Sequence, residues 1–80
     1  MAEMIPDRRL DCTGLICPMP VVKTNQAIRD LEVGQILELI ATDPGAQADM
    51  ETWARQTRQE LLSAEELDDG TLRILIRKAH

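Results

Sequence analysis

Aromatic residues are almost absent from this sequence. Trp53 is the only one in 80 residues, and the chain contains no Phe and no Tyr. Apolar residues still make up 44% of the chain, so it should fold around an aliphatic core of Leu, Ile and Val. A chain of this length can bury one modest core. We therefore expect a single domain over residues 1–80.

The sequence also lacks an excess of positive charge. It has nine basic and fourteen acidic residues, which gives a net charge of −5. A protein that binds nucleic acid directly needs a basic face to displace counterions from the phosphates. The composition therefore argues against direct nucleic-acid binding. An acidic balance favours solubility and specifies no partner.

No long apolar run is present. Residues 1–10 carry charges where a secretion signal would have its apolar segment. The most apolar later run, residues 36–41, is short and is interrupted by Glu38. We therefore expect no membrane association and a cytoplasmic location.

Thiol and imidazole groups are scarce: Cys12, Cys17 and His80 are the only ones. The C-x4-C spacing is neither that of a thioredoxin-type pair nor that of a zinc pair, and a fourth metal ligand is missing. We therefore expect no metal and no cofactor. His80 lies at the end of the sequence, where a catalytic Cys–His pair is not expected. Cys12 is interpreted either as a packed strand residue, which we favour, or as a thiol that closes a disulfide with Cys17.

The apolar pattern predicts six elements in the order β-α-β-α-β-β. Strands are predicted at 8–12, 35–41, 60–67 and 71–77, and helices at 18–31 and 46–59. The last two strands flank Asp-Asp-Gly, a hairpin signal. This order predicts an α/β two-layer sandwich, in which two helices cover one face of a four-stranded mixed sheet. The predicted inward residues are Val21, Thr24, Ile28 and Leu31 in the first helix, Met50, Trp53, Ala54 and Thr57 in the second, and Leu72, Ile74 and Ile76 in the last strand.

Two prolines follow a cysteine in Cys17-Pro18-Met19-Pro20. Proline suits the first turn of a helix, where backbone N–H groups have no intrahelical acceptor. The pattern predicts that Pro18 is the first helical residue and that Cys17 is the N-cap. A thiolate there is stabilised by the helix dipole and by the Met19 and Val21 amides, so we expect the pKa of Cys17 to lie below about 8.5. The alternative is that Cys17 packs as a small apolar residue.

Residues 10–24, LDCTGLICPMPVVKT, resemble the signature of the TusA/SirA family of small sulfur-carrier proteins. The resemblance continues through residues 42–57 and 60–62. It implies the same two-layer sandwich and a sulfur carrier, or sulfurtransferase, that holds sulfur as a persulfide on Cys17. It also implies a donor protein, either a cysteine desulfurase or a rhodanese, and an acceptor protein in tRNA thiolation, cofactor sulfuration or sulfur oxidation. Gly14, Pro18 and Pro20 would be the structural residues of the site.

This chain departs from the family pattern at two places. Many members have a non-thiol residue at the position of Cys12, and many have Gly-His in place of Arg58-Gln59. The first departure leaves open a redox protein that cycles a Cys12–Cys17 disulfide. A regulatory interaction module with an inert cysteine is the remaining alternative.

The first helix also offers candidate partner contacts. Met19 shares an outward stripe with Lys23, Gln26 and Asp30. A methionine on a polar stripe beside the thiol is a candidate contact for a partner protein, and Lys23 could attract an acidic partner or the persulfide anion. The alternative is that Met19 is one of the scattered apolar residues found on any surface. A carrier of this kind is expected to be a monomer or a weak dimer.

Overall fold

The computed structural model describes residues 5–16 and 18–80. Their elements are β1 (Arg8–Cys12), α1 (Met19–Arg29), β2 (Ile36–Ala41), α2 (Ala46–Thr57), β3 (Glu60–Glu66) and β4 (Leu72–Arg77). The predicted order is confirmed, and the first strand has the predicted bounds. Both helices are shorter than predicted, and none of the described helices is long and apolar enough to cross a membrane.

The strands form one mixed sheet in the order β1-β2-β4-β3. β1 is parallel to β2, whereas β4 is antiparallel to both of its neighbours. In the parallel pair the last residues, Cys12 and Ala41, lie opposite each other. The segments that follow β1 and β2 therefore leave the sheet at the same edge, and this edge places the start of α1 beside the start of α2.

Both helices pack on one face of this sheet. One buried cluster contains Ala27 and Ile28 of α1, Met50 and Trp53 of α2, and inward residues of the sheet. The inward sheet residues of the cluster are Cys12, Leu37, Leu39, Ala41, Ile74 and Ile76. The predicted two-layer α/β sandwich is therefore confirmed.

The inward face of α1 differs slightly from the predicted one. Thr24 and Ile28 are buried as predicted, but Val21 is only partly buried, and Pro20 is buried although it was not predicted to be. The Thr24 hydroxyl donates to the Pro20 carbonyl at 2.7 Å. A buried threonine is therefore satisfied within its own helix, which explains how a polar residue fits the core.

The face of the sheet away from the helices is less exposed to solvent than the alternation of apolar residues and arginines in β4 predicts. Leu75 is 4% exposed on this face, and the neighbouring Glu38 is 1% exposed. The Glu38 carboxylate accepts hydrogen bonds from Arg9 on β1 and Arg73 on β4. Burial alone would raise the pKa of Glu38, but the hydrogen bonds from Arg73 and Arg9 outweigh burial and lower it. A buried charge is thus held by two opposite charges.

Candidate functional site

The loop after β1 is held by its backbone N–H groups. The amide of Thr13 donates to the Asp11 carboxylate at 2.9 Å, and that of Leu15 donates to the Cys12 carbonyl at 3.1 Å. The amide of Gly14 donates to the Thr42 hydroxyl at 2.8 Å. Gly14 has φ +80°, a conformation that costs little only for glycine. The structural role predicted for Gly14 therefore has a concrete backbone basis.

The start of α1 lies one residue later than predicted. Pro18 has φ −97° and ψ 16° and is the N-cap, so Met19 is the first helical residue and Pro20 the second. The reason is the backbone of Pro18, whose ψ lies outside the helical range. The Met19 amide, which has no acceptor within the helix, donates to the Ile16 carbonyl at 2.9 Å. The first helical bond, at 3.0 Å, then runs from the Val22 amide to the Pro18 carbonyl. Both prolines still lie where the helix needs no N–H donor.

Cys17 lies outside the described residues, and its exposure and pKa stay predictions. The prediction that it is the N-cap is wrong, since Pro18 takes that position. The Met19 and Val21 amides were both expected to be free to stabilise a thiolate, and one of them is not. The Met19 amide, offered as one of two donors to a thiolate, is already bonded to a carbonyl.

Apolar side chains are exposed on both sides of position 17. Ile16 is 71% exposed, Met19 is 38% exposed and Val22 is 39% exposed, and Pro18 is exposed as well. We refer to Ile16, Pro18, Met19 and Val22 as the apolar patch. Met19 was singled out from the sequence, whereas Ile16 and Val22 were not. Val22 could have been found, because it lies three residues after Met19 and so shares its side of the helix.

The apolar patch has polar neighbours. Lys23 is exposed, as the predicted outward stripe requires. A shallow groove beside Pro18 is lined by the polar residues Asp49, Thr52 and Gln56 of α2. Trp53 also lines the groove but is only 6% exposed, so it is a core residue. An exposed apolar centre with a polar rim is the usual make-up of a protein-binding surface.

Cys12 is fully buried in the core. Burial raises the pKa of its thiol, the Asp11 carboxylate raises it further, and Lys23 lowers it. A buried thiol that stays protonated reacts poorly. This result favours the packed-residue interpretation of Cys12 over the disulfide interpretation.

His80 does not form a site with Cys12. Its Nε2 atom lies 2.9 Å from the Thr57 carbonyl oxygen at the end of α2. Within residues 5–16 and 18–80, no group of three or more His, Cys, Asp or Glu side chains is arranged to hold a metal ion.

Comparisons with known proteins agree on one family. The family model for Sulfurtransferase TusA matches residues 8–78. The chain is 42% identical to the sulfur carrier protein TusA of Pseudomonas putida, over 98% of this chain and 96% of that protein. It is 44% identical over 99% of its length to a longer protein of Aquifex aeolicus, of which it spans 40%. A SirA-like crystal structure from Desulfitobacterium hafniense matches with a TM-score of 0.81 and 20% identity, over 91% of this chain and 99% of that one, and supports the fold alone.

Proposed function

Because the chain belongs to the TusA family of sulfurtransferases, we propose that it is a sulfur carrier that holds sulfane sulfur as a persulfide on Cys17. One observation carries the choice of cysteine. Cys12 is buried in the core, whereas Ile16 and Pro18, the sequence neighbours of Cys17, are both exposed. Of the two thiols, Cys17 is therefore the one whose described sequence neighbours are exposed.

The proposed step is a transfer of sulfur without net oxidation. The Cys17 thiolate attacks the terminal sulfur of a donor persulfide, so a new S–S bond forms at Cys17. The S–S bond of the donor breaks, and the donor cysteine leaves as a thiolate. In delivery, a thiolate of the acceptor attacks the terminal sulfur of the Cys17 persulfide. The S–S bond at Cys17 breaks, and Cys17 leaves as a thiolate. The step uses no metal and no organic cofactor.

The start of α1 would assist both states of Cys17. A thiolate and a persulfide are anions, and the amino end of a helix favours negative charge. The start of the helix is fixed by Pro18 at the N-cap and by Pro20 in the first turn. Gly14 would act by shaping the turn that leads into the site.

The partners are proposed to be proteins. A cysteine desulfurase or a rhodanese would load Cys17, and a further carrier or an enzyme would accept the sulfur. Met19 would contact both partners as part of the apolar patch, and Lys23 would attract an acidic rim on the partner. A single patch beside one thiol serves the two partners in turn. We also propose, from the sequence alone, that the protein acts as a monomer in the cytoplasm.

The experiment is mass spectrometry of the intact protein after incubation with a cysteine desulfurase and cysteine. We expect a gain of one sulfur atom, which a thiol reductant removes. Cys17→Ser should abolish the gain. Cys12→Ala is the matched control, because it removes the other thiol without placing a hydroxyl in the core, and it should keep the gain. Loss of the gain in both folded variants would instead support a cycle that needs both cysteines.

A further inference from the structure

In the described loop residues 13–16, one hydrogen bond reaches a distant side chain, and Leu15 packs against the core. Most hydrogen bonds of described residues 13–16 are local and connect residues within 11–19. Among the bonds of this described stretch, the one from the Gly14 amide to the Thr42 hydroxyl reaches another part of the chain. It joins positions that are 28 residues apart in sequence.

Thr42 stands where the parallel pair of strands stops. The register of β1 and β2 ends at Cys12 and Ala41, so Thr42 follows the last paired residue of β2. The Thr42 hydroxyl accepts a hydrogen bond from the amide of Gly14, which lies past the last paired residue of β1. One residue later, the carbonyl of Asp43 accepts the amide of Ala46 at the start of α2, at 3.0 Å. Thr42 therefore connects the loop before Cys17 to the start of the second helix.

We infer that Thr42 is a positioning residue for Cys17 and acts through the amide of Gly14. The inference rests on the proposed function of Cys17. Gly14 has a backbone conformation that leaves its amide pointing at a specific acceptor, and it precedes Cys17 by three residues. A displacement of a reacting atom by about 1 Å can slow a reaction on the order of a hundredfold. A bond that fixes this loop can therefore control reactivity while it contributes little to overall stability.

Thr42 itself is exposed, so its hydrogen bond competes with water. Loss of the hydroxyl should therefore affect the loop more than the fold. Thr42→Val keeps the shape of the side chain and removes the acceptor. Thr42→Ser keeps the acceptor and should restore the parent behaviour. Thr57→Val is the matched control, since it removes a threonine hydroxyl that bonds within α2, to the Trp53 carbonyl at 2.7 Å.

The test is the rate of Cys17 alkylation as a function of pH, followed by peptide-resolved mass spectrometry so that Cys12 is counted separately. Thr42→Val should lower the rate on the order of tenfold and should shift the pH midpoint, while Thr42→Ser and Thr57→Val behave as the parent. The Gly14 amide should exchange its hydrogen faster in Thr42→Val alone. The same order of variants is expected for kcat/KM of sulfur transfer from a persulfide donor.

The inference is overturned if Thr42→Val speeds exchange at Gly14 and leaves the pH profile of alkylation unchanged. It is also overturned if Thr42→Ser fails to restore the parent profile. A parent protein that takes up no sulfur would contradict the proposed function instead. The alkylation and exchange measurements would still decide the role of Thr42, because neither needs a sulfur donor.

Discussion

Met19 is an apolar residue exposed on the first turn of α1, next in sequence to Pro18. The substitution Met19→Asp should leave the free energy of unfolding nearly unchanged, because the side chain lies outside the core and an acidic residue is tolerated in a first turn. Sulfur transfer to or from Cys17 should become markedly slower, because a charge would replace an apolar contact with the partner. Urea unfolding and single-turnover transfer kinetics measure the two effects.

Val33 offers a control at the other end of α1. It is 66% exposed, so Val33→Asp makes a comparable change on a surface away from the apolar patch. This variant should transfer sulfur at the parent rate. Equal slowing by both variants would point to net charge rather than to the patch. An unfolded Met19→Asp protein would mean that Met19 belongs to the core.

At the scale of the elements, two turns require glycine for the same reason and differ in what they position. Gly14 has φ +80° before α1, and Gly70 has φ +86° in the hairpin between β3 and β4. A Cβ atom added at either position would meet no atom within 4 Å, so the cost of alanine is one of backbone conformation alone. Gly14→Ala and Gly70→Ala should each destabilise the protein by about 1 to 2 kcal/mol.

The reactivity of Cys17 should separate these two variants. Gly14→Ala should slow alkylation of Cys17, because it moves the loop that leads to the thiol, whereas Gly70→Ala should not. Chemical denaturation gives the stability of each variant, and alkylation below the denaturation midpoint gives the reactivity. Equal alkylation rates would show that the turn at Gly14 serves the fold and has no role in placing the thiol.

The ends of the elements show what could be predicted from the sequence and what could not. Periodicity gave the order of all six elements, since apolar spacing reports directly which face is buried. The helix ends were missed because the backbone conformation of a single residue decides each of them. Pro18 has a ψ of 16°, outside the helical range, which delays α1 by one residue. Arg58 takes a left-handed conformation with φ 60°, which ends α2 at Thr57 although no glycine marks the position.

Part of the surroundings of the candidate site could be predicted from residue type. The two prolines indicated the start of α1 to within one residue, and Met19 was correctly expected to be exposed. The role of Cys17 stays a prediction. The role of Thr42 could not be read from the sequence, because its partner Gly14 lies 28 residues away and only the parallel pairing of β1 with β2 brings them together. The exposure of Ile16 could not be predicted either, since it lies in a loop, where no apolar periodicity indicates which side chains are buried.

At the scale of the whole molecule, one carboxylate connects three of the four strands. Glu38 on β2 is bonded to Arg9 on β1 and to Arg73 on β4, and Arg73 also reaches Glu65 on β3 at 3.4 Å. The pKa of Glu38 is lowered in the folded protein. The network therefore stabilises the fold above the unfolded pKa of about 4.3, and this contribution is lost as the pH falls through the lower folded value.

Glu38→Gln should lower the free energy of unfolding at pH 7 by about 1.5 to 3 kcal/mol, the range for hydrogen bonds to charged groups. The difference between parent and variant should shrink as the pH falls below the unfolded pKa of about 4.3 and through the lower pKa of Glu38 in the folded parent. Urea denaturation at a series of pH values measures this change. Glu65→Gln is the control, because an exposed partner of the same arginine should cost less than about 0.5 kcal/mol. A difference that does not vary with pH would contradict the role of the charge.

The sheet order has a consequence for the way the chain is made. β4 is the last of the six elements in sequence, yet it lies between β2 and β3. Until residues 72–77 have been synthesised, β1 and β2 form one unit and β3 has no neighbour to pair with. The pairing of β2 with β4 also joins residues far apart in the chain, which is a slow kind of contact to form. Cys17 is therefore synthesised before the strand that completes the sheet, and the sheet cannot be finished until β4 has been made.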